Sequence, residues 1–472
     1  MKRILTLILL AALSVSLAAQ DEVLRLFAEN PDRAANNMHY YEFNPIEDTP
    51  APKGFKPFYI SHYGRHGSRY EQSSTFARAA QEGFFHLDSL GLLTAEGKLV
   101  YEQVERVVAA HQGMEGSLTA RGAREHKLLA SRMAHRFPTI FKDKARQEVN
   151  CFSSTNFRCI VSMCNFTNSL NVEYPSLNLT FTSAERFMSY INPSLNVPRP
   201  GEPVPQRGAG GIDLSAIMRM QQQQQNAPRA YQRAAGQPGY DFSRFLRPLF
   251  TDYNAAIQEL GNPEPFVKAI FSAGSLCQLI DELSDINILG NNFTPEELVY
   301  FWAGGNDSLY RMWAGSVENG DVIRYAIRPL LMDFIEKADA ALKPDSHRAA
   351  DLRFGHDTSV LPLFALLGID DTQHRVFPFQ QAHNMGWYAF FQIPMATNCQ
   401  MVFYRNKKDE VLVKVLYNEK EVQIPGIEPV TGPYYNWSAL RAHFIALCDK
   451  AAEPWRMPVP LPAPAPVRAM VP

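Results

Sequence analysis

The sequence contains 472 residues, of which 46% are hydrophobic, and its formal net charge is -2. This length is enough for two or more domain-sized hydrophobic cores. A charge so close to zero gives no general attraction to nucleic acid or to an anionic membrane surface, so we expect neither as a partner. A polyanionic ligand would have to be held by a local pocket.

The first 20 residues have the features of a cleavable secretory signal. Lys2 and Arg3 precede an apolar run over 4–13, and small residues follow at Ser16 and Ala18. The apolar run is too short for a membrane-spanning helix. We therefore expect an exported protein, periplasmic or extracellular if it is bacterial, with no membrane insertion once the signal is removed.

Two arginines and a histidine follow the first clear strand signal. Aromatic and β-branched residues at 58–60 predict a strand, and the glycines after them predict a tight loop. Arg65 and Arg69 carry planar sets of donors suited to phosphate or carboxylate oxygens, and His66 offers a nitrogen nucleophile between them. Ligands of open α/β sheets bind outside the carboxyl ends of the strands. The stretch therefore predicts a phosphoryl-transfer site.

The same stretch has two other interpretations. A histidine beside two arginines is usually part of a solvated basic loop. His62 and His66, four residues apart, have a spacing found in zinc sites, but such pairs normally lie on a helix and the nearby glycines argue against one.

Helices are predicted at 75–90 and at 119–137. Thr119 is a candidate N-cap of the second helix, which carries His126 and His135 at positions that we expect at the surface or at the edge of the core. The first helix begins just after the arginine loop, so its N-terminal amides are expected to favour an anion in the same crevice.

The middle of the chain changes character. Alternating residues at 149–153 predict a second strand that leads into a loop containing Arg158. Helical patterns rich in aromatic residues follow, and we assign those aromatic residues to a core. A stretch at 197–239, rich in proline, glycine and glutamine, predicts a flexible loop.

A further pair of polar residues follows a third strand signal. A long helix is predicted at 321–342 and a strand at 352–354, after which come His356 and Asp357. Taken alone, this dipeptide fits a capped turn before a short helix, for which Ser359 marks the start, Pro362 the first turn and Gly368 the end.

The C-terminal part is predicted to form a hairpin of strands at 400–404 and 411–417 and then a helix at 437–448. The tail at 454–472 is rich in proline and is expected to be extended or disordered.

Six cysteines are present. An even number permits disulfides in an exported protein, but six cysteines allow 15 pairings and the sequence does not choose among them. Their spacing does not match a zinc motif. Cys159 and Cys164 follow Arg158 closely, which admits a catalytic thiol, although we expect structural roles for both.

Three motifs, in this order, resemble active-site segments of the histidine acid phosphatase branch of the histidine phosphatase family: Arg65-His66-Gly67-x-Arg69, Ser153-Ser154-Thr155-Asn156-Phe157-Arg158 and Phe354-Gly355-His356-Asp357. The resemblance implies an α/β fold, with a three-layer catalytic domain in which helices flank a mostly parallel central sheet. It also implies an inserted, smaller, all-helical cap domain. The expected bounds are 21–160 and 340–450 for the discontinuous catalytic domain and 161–339 for the cap.

The resemblance also implies the site residues. His66 is the expected nucleophile, Asp357 the expected proton donor, and His356 an expected further catalytic residue. Arg65, Arg69, Arg158 and His356 are expected to bind the phosphate of a small-molecule phosphate ester. This scheme requires no metal and no other cofactor.

The segments at 353–363 and 415–419 look most like those of multiple inositol polyphosphate phosphatases, which degrade phytate. That subgroup usually has His-Ala-Glu where this chain has His356-Asp357-Thr358, the arrangement of acid phosphatases and bacterial phytases. The leading expectation is therefore phosphate removal from inositol polyphosphates. The alternatives are a broad acid phosphatase on sugar phosphates or nucleotides, a periplasmic phosphate-ester binding protein, and a phosphomutase. The sequence gives no oligomeric state.

Overall fold

The structure, a computed structural model, describes residues 21–453 apart from Ser74, 194–239, Glu318 and the positions 371, 373, 375 and 377–380. The predicted signal at 1–20, the predicted loop at 197–239 and the predicted tail at 454–472 therefore lie outside the described residues.

Eight strands form one mixed sheet in the order β3-β2-β4-β1-β5-β6-β7, with β8 paired to β6. The first four strands of this order are mutually parallel and the rest are antiparallel to their neighbours. The strands are β1 (Lys56–Arg65), β2 (Glu148–Ser153), β3 (Asn178–Thr182), β4 (Arg348–Gly355), β5 (Asn398–Arg405), β6 (Val411–Tyr417), β7 (Lys420–Glu421) and β8 (Tyr434–Asn436).

Helices cover both faces of this sheet. One face packs against α4 (Ala120–Arg136), α5 (Pro138–Phe141) and α6 (Phe157–Glu173), and the other against α13 (Gly320–Ala341), α14 (Asp357–Leu367) and α16 (Trp437–Ala452). Strand β1 shows why two layers form, since Tyr59 and Tyr63 point into one core while Ile60 points into the other. The predicted three-layer α/β fold is confirmed.

A third core is entirely helical. It is built from a helix at 21–29, α2 (Thr75–Ser89), α3 (Ala95–His111), α8 (Ser243–Leu246), α9 (Tyr253–Leu260), α10 (Glu264–Cys277), α11 (Ile288–Asn292) and α12 (Pro295–Trp313). The other helical segments are α7 (Met188–Ile191), α15 (Ala389–Gln392), and 3-10 segments at Pro31–Met38, Glu185–Phe187, Arg247–Leu249, Asp281–Leu283 and Ala382–Met385.

The packing differs from the predicted domain bounds. Strand β3 extends the central sheet and α6 packs on it, although both fall within the predicted cap at 161–339. Helix α13 likewise covers the sheet. Conversely, α2 and α3 belong to the helical core, because Phe84 of α2 packs edge-on against Phe266 of α10 at 4.9 Å between ring centroids.

Most local predictions are confirmed, and four details are corrected. Helices α2, α4, α13 and α16 and the β5–β6 hairpin lie where the sequence predicts them. However, β1 continues through Gly64 to Arg65, where a loop was predicted, because the backbone there pairs with both β4 and β5. Arg158 lies in the first turn of α6, not in a loop. His126 is buried among Phe166 and Phe354, not at the surface.

The remaining short helix begins earlier than expected. The sequence predicts a start near Ser359, but α14 begins at Asp357. It ends at Leu367, where the predicted stop, Gly368, forms the C-cap with a left-handed backbone. Among the described residues, no helix is both long and apolar enough to cross a membrane.

Candidate active site

Three strand ends meet at one edge of the sheet. Arg65 at the end of β1 is paired with Gly355 at the end of β4, and Ser153 at the end of β2 is paired with Phe354. Because β1, β2 and β4 are parallel, the residues that follow each of them emerge on the same side. The three motifs are brought together by this register.

A cavity of about 590 Å³ opens at this edge. It contains all six residues that the sequence singled out. The full lining is Arg65, His66, Arg69, Gln72, Ser154, Thr155, Asn156, Arg158, Asn192, His356, Asp357 and Thr358.

His66 is buried and its ring orientation is fixed by its neighbour. Its Nδ1 lies 2.9 Å from the carbonyl oxygen of Gly67, so the N–H is on Nδ1 and the lone pair is on Nε2. Burial, and after it the positive charges of Arg65 and Arg158, hold the pKa of His66 well below its ordinary value. The ring is therefore a neutral imidazole with a free nucleophilic nitrogen.

Arg65 is anchored on both sides of its guanidinium group. Nη1 donates to the carbonyl oxygens of Asn37 at 2.5 Å and Ile393 at 2.8 Å, and Nη2 lies 3.0 Å from Oδ2 of Asp357. The side chain is only 1% exposed. A planar cation held in this way cannot swing out of the cavity when a ligand leaves.

Asp357 pairs with Arg65 and lies at the first position of α14. Oδ2 accepts hydrogen bonds from Nδ2 of Asn37 at 2.6 Å and from Arg65, and Oδ1 accepts one from the amide of Thr358 at 3.0 Å. Burial alone would raise the pKa of this carboxyl. The Arg65 charge and the Asn37 hydrogen bond outweigh burial, so the pKa of Asp357 lies below its ordinary value.

Arg69 and Arg158 complete the cationic lining. Nη1 of Arg69 donates to its neighbour's carbonyl, that of Tyr70, at 2.9 Å, and Nη1 of Arg158 donates to Oδ1 of Asn156 at 2.9 Å. Burial, strengthened by the charges of Arg65 and Arg158, lowers the pKa of Arg69 to about 10. Three guanidinium groups therefore face one carboxylate in this lining.

His356 joins the two sides of the cavity. Its Nε2 lies 3.1 Å from Oγ of Ser154 and its Nδ1 lies 3.4 Å from Nη2 of Arg158, while its ring centroid is 5.6 Å from that of His66. Burial, and after it the charge of Arg158, lower the pKa of His356 to about 4. His356 is therefore neutral, and because Arg158 can only donate to Nδ1, its single N–H lies on Nε2, beside Oγ of Ser154. This N–H is the donor that His356 can offer to an anion.

A close backbone contact fixes His356. Its amide donates to Oη of Tyr63 at 3.1 Å, and the same hydroxyl donates to the carbonyl of Ile191 at 2.7 Å. The preceding residue is Gly355, where a Cβ atom would lie 1.9 Å from that hydroxyl. A glycine is required here because no side chain fits beside Tyr63.

Two helix N-termini supply further donors. Asn156 precedes α6 and His356 precedes α14, and residues around both starts line the cavity. The positive end of a helix dipole favours an anion at such a position. The sequence predicts this role for α2. Among the described residues just before and within α2, only Gln72 lines the cavity.

Several lining residues were not singled out as site residues by the sequence. They are Gln72, Asn192, Thr358 and the segment 154–156, together with Asn37, which contacts Asp357. Residues 154–156 belong to a quoted motif, so a signal for them existed. For Asn37 there was none, because it lies 320 residues from its partner in the chain.

The structure also shows the surroundings of His62 and Cys159, for which the sequence admits a zinc-ligand role and a catalytic-thiol role. His62 lies outside the cavity lining and packs its ring against Phe166 and Phe354. Among the described residues, no three His, Cys, Asp or Glu side chains are grouped to hold a metal ion. Cys159 is buried with Sγ 3.6 Å from Nε2 of His356, and burial raises the pKa of this thiol to about 12. Such a thiol is a poor nucleophile.

Residues 278–418 match the family described as the histidine phosphatase superfamily (branch 2), a span that includes His356 and Asp357 but not His66. No curated protein matches the sequence at a significant level.

Solved structures share the fold. The multiple inositol polyphosphate phosphatase of Bifidobacterium longum in complex with inositol hexasulfate has a TM-score of 0.68 and 17% identity, with 88% of this chain and 98% of that chain covered. The same enzyme in complex with phosphate has a TM-score of 0.67 and 18% identity, with the same shares covered. The phytase from D. castellii has a TM-score of 0.62 and 16% identity, over 88% of this chain and 85% of that one.

Proposed function

We propose that this chain, a histidine phosphatase of branch 2, is an exported phosphomonoesterase that removes phosphate from inositol polyphosphates through a phosphohistidine at His66. The observation that carries the proposal is the free Nε2 of a neutral, oriented imidazole inside a cavity lined by three arginines.

The first chemical step follows from the charges. A phosphate ester is negatively charged and repels nucleophiles, so Arg65, Arg69 and Arg158 neutralise its oxygens while His356 donates a further hydrogen bond. The lone pair on Nε2 of His66 forms a bond to phosphorus as the bond to the ester oxygen breaks. The Nδ1–H remains bonded to the Gly67 carbonyl, which supports the positive charge that develops on the ring.

The leaving alkoxide needs a proton, which Asp357 supplies. In the second step the resulting carboxylate takes a proton from water as the water oxygen attacks phosphorus and the nitrogen–phosphorus bond breaks. Because the free carboxyl has a lowered pKa, it gains its proton most readily when an anionic substrate has partly neutralised Arg65. Activity is therefore expected to be highest at acidic pH.

The substrate class rests on similarity of fold. The structure from Bifidobacterium longum contains inositol hexasulfate, a hexa-anionic ring, and the D. castellii protein is a phytase. For this chain we propose inositol hexakisphosphate or its lesser phosphates as the leading substrate.

One observation favours a second candidate, a broad acid phosphatase. Beyond the three arginines, Asp357 and the two histidines, the described cavity lining is uncharged and polar, with Gln72, Thr155, Asn156, Asn192 and Thr358, and it contains no lysine. The three arginines neutralise one phosphate well, but the described lining offers no further cation to the other phosphates of a polyphosphate. A simple sugar phosphate or nucleotide would satisfy the three arginines.

The test is phosphate release from inositol hexakisphosphate, para-nitrophenyl phosphate and a sugar phosphate across acidic to neutral pH, with EDTA present. The variants are His66→Ala and Asp357→Asn. His135→Ala and Asp345→Asn change exposed residues of the same types and are the matched controls. We expect release that resists EDTA, disappears in His66→Ala, and is retained in both controls.

The outcomes separate the candidates. Preference for inositol hexakisphosphate supports the leading proposal, whereas preference for the simple esters with the same dependence on His66 supports the acid phosphatase. Transfer of phosphate to a second substrate, without net release, would indicate a phosphomutase. Absence of both release and transfer in the parent overturns the proposal and favours a binding protein.

Export is part of the proposal and has its own test. The residues at 1–20 carry the signal features described above. Expression of the full chain in a bacterial host should yield a protein in the periplasm or medium whose intact mass corresponds to loss of about 20 residues. Retention of the uncleaved chain in the cytoplasm would contradict it.

A further inference from the structure

Asn37 contacts both members of the ion pair between Arg65 and Asp357. Its side-chain Nδ2 lies 2.6 Å from Oδ2 of Asp357, and its backbone carbonyl accepts a hydrogen bond from Nη1 of Arg65 at 2.5 Å. Arg65 itself reaches the same Oδ2 at 3.0 Å. A residue from the N-terminal segment thus completes a cluster whose other members come from β1 and α14.

The backbone next to Asn37 is held in an unusual conformation. Asn36 has φ of 56° and ψ of -127° inside the Pro31–Met38 turn, a combination that residues with a side chain rarely adopt. Its Nδ2 donates to the carbonyl of Trp302 in α12 at 3.2 Å. In the same helix Gly305 leaves room for it, since a Cβ there would lie 2.7 Å from that Nδ2. Rare backbone conformations of this kind cluster at functional sites.

The donors around Asp357 distinguish its two oxygens. Oδ2 accepts from an amide N–H of Asn37 and from the guanidinium of Arg65, and both groups can only donate. Oδ2 is therefore kept as an acceptor. Oδ1 accepts one hydrogen bond, from the amide of Thr358, and has a lone pair left for a proton. The transferable proton is accordingly expected on Oδ1.

We propose that Asn37 is a positioning residue for the proton donor: it reserves Oδ2 of Asp357 as an acceptor and directs the transferable proton to Oδ1. This inference rests on the proposed function, since it acts through the proton that Asp357 passes to the leaving oxygen as the phosphorus–oxygen bond breaks and the bond from Nε2 of His66 forms.

Replacement of Asn37 should change the pH dependence of kcat/KM through the pKa of Asp357. Loss of a donor to the carboxylate raises its pKa, and a second carboxylate beside it raises the pKa further. A general acid must be protonated, so kcat/KM falls as pH rises through its pKa. Asn37→Leu should move this alkaline limb up by about 1 pH unit, and Asn37→Asp should move it further.

The leaving group provides a second readout. Para-nitrophenolate leaves readily without a proton, whereas the alkoxide of a sugar or inositol ester does not. If Asn37 acts through the proton donor, Asn37→Leu should lower kcat at the optimum about tenfold or more for the alkyl esters and clearly less for para-nitrophenyl phosphate. A purely structural role predicts equal losses for both substrates and no change in the pH limb.

The experiment measures kcat/KM against pH for the parent, Asn37→Leu and Asn37→Asp with both kinds of ester. Asn44→Leu is the matched control, because Asn44 lies exposed in the same N-terminal segment and its Nδ2 donates to the carbonyl oxygen of Glu42 instead of to the cavity. If Asn37→Leu does not fold, the nearly isosteric Asn37→Asp carries the test.

The results overturn different statements. A parent without phosphate release removes the proposed function and this inference with it. An active parent whose Asn37 variants show an unmoved alkaline limb and uniform losses overturns only the inference. A shift of the alkaline limb and a leaving-group dependence in the Asn37 variants, both absent from Asn44→Leu, support it.

Discussion

Nδ1 of His66 lies 2.9 Å from the carbonyl oxygen of Gly67, its own neighbour in the chain. A carbonyl oxygen only accepts, so this contact alone decides which ring nitrogen carries hydrogen and which faces the cavity. The nucleophile is therefore oriented by the turn that also places the arginines, without help from a distant side chain.

The cations around His66 lead to a first prediction. Because burial and neighbouring positive charges lower its pKa, the imidazole stays neutral at mildly acidic pH, and kcat/KM should not fall as pH drops through the ordinary histidine pKa of about 6.5. Arg158→Gln removes one of those charges, so the pKa of His66 rises and the acidic limb moves to higher pH.

The measurement is a pH profile of kcat/KM for the parent, Arg158→Gln and the control Arg78→Gln. Arg78 is half exposed and lies 3.6 Å from Glu115, outside the cavity lining. A parent profile that declines around the ordinary histidine pKa would contradict the expectation, as would an unshifted limb in Arg158→Gln.

Two glycines in helices give a second prediction, because replacing each by alanine should change the unfolding free energy in opposite directions. A Cβ at Gly122 of α4 would lie 2.2 Å from the carbonyl oxygen of Ser68, in the loop between His66 and Arg69, so Gly122→Ala must displace that loop. We expect a loss of about 1–3 kcal/mol in unfolding free energy and a large loss of activity. At Gly304 of α12 nothing lies within 4 Å of the added Cβ.

Gly304→Ala should therefore leave activity unchanged and add about 0.5–1 kcal/mol of stability, because alanine is the better helix former. Denaturant unfolding and steady-state kinetics on both variants check the pair. Full activity in Gly122→Ala would show that the loop does not depend on this contact.

The chemistry of the candidate site was more accessible from the sequence than its surroundings. His66 and its flanking arginines stand within one short segment, so their proximity needed no fold. That His356 and Asp357 join them follows from the parallel register of β1 with β4, which a strand pattern alone does not specify. Asn37 could not be found, because one amide contact across 320 residues leaves no periodic signal.

The domain bounds illustrate the same point for packing. The sequence predicts helices after Arg158, but their apolar residues carry no indication of which core each helix joins. Phe166 of α6 meets Phe354 of β4 at 5.4 Å between ring centroids, and this long-range contact assigns the helix to the sheet. Likewise, α2 follows the arginine loop directly and yet belongs to the helical core.

Buried His62 and His126 give a third prediction, about acid stability. Burial lowers the pKa of each imidazole to about 3. In the unfolded chain they titrate near 6.5, so between these values the unfolded state binds more protons and the unfolding free energy falls as pH decreases. Each group contributes at most about 1.4 kcal/mol per pH unit.

His126→Leu should flatten the decline of Tm with decreasing pH over this range, whatever it does to Tm at neutral pH. His135→Leu, on the same helix but exposed, is the control and should leave the slope unchanged. Thermal unfolding at a series of pH values provides the measurement. Equal slopes for the parent and His126→Leu would show that His126 does not contribute to acid unfolding.

The cysteines give the last prediction. All six lie in the described part of the chain and are unpaired, and only Cys164 is exposed. A thiol reagent should therefore modify one cysteine in the native protein and six after denaturation without reductant. The buried thiols are inaccessible to the reagent in the native protein. Burial also raises their pKa, at Cys151, Cys159, Cys277, Cys399 and Cys448. Cys164→Ser should remove the native reaction, and reductant should leave Tm unchanged. Fewer than six thiols after denaturation would reveal a disulfide formed during export, and a lower Tm in reductant would show that it stabilises the fold.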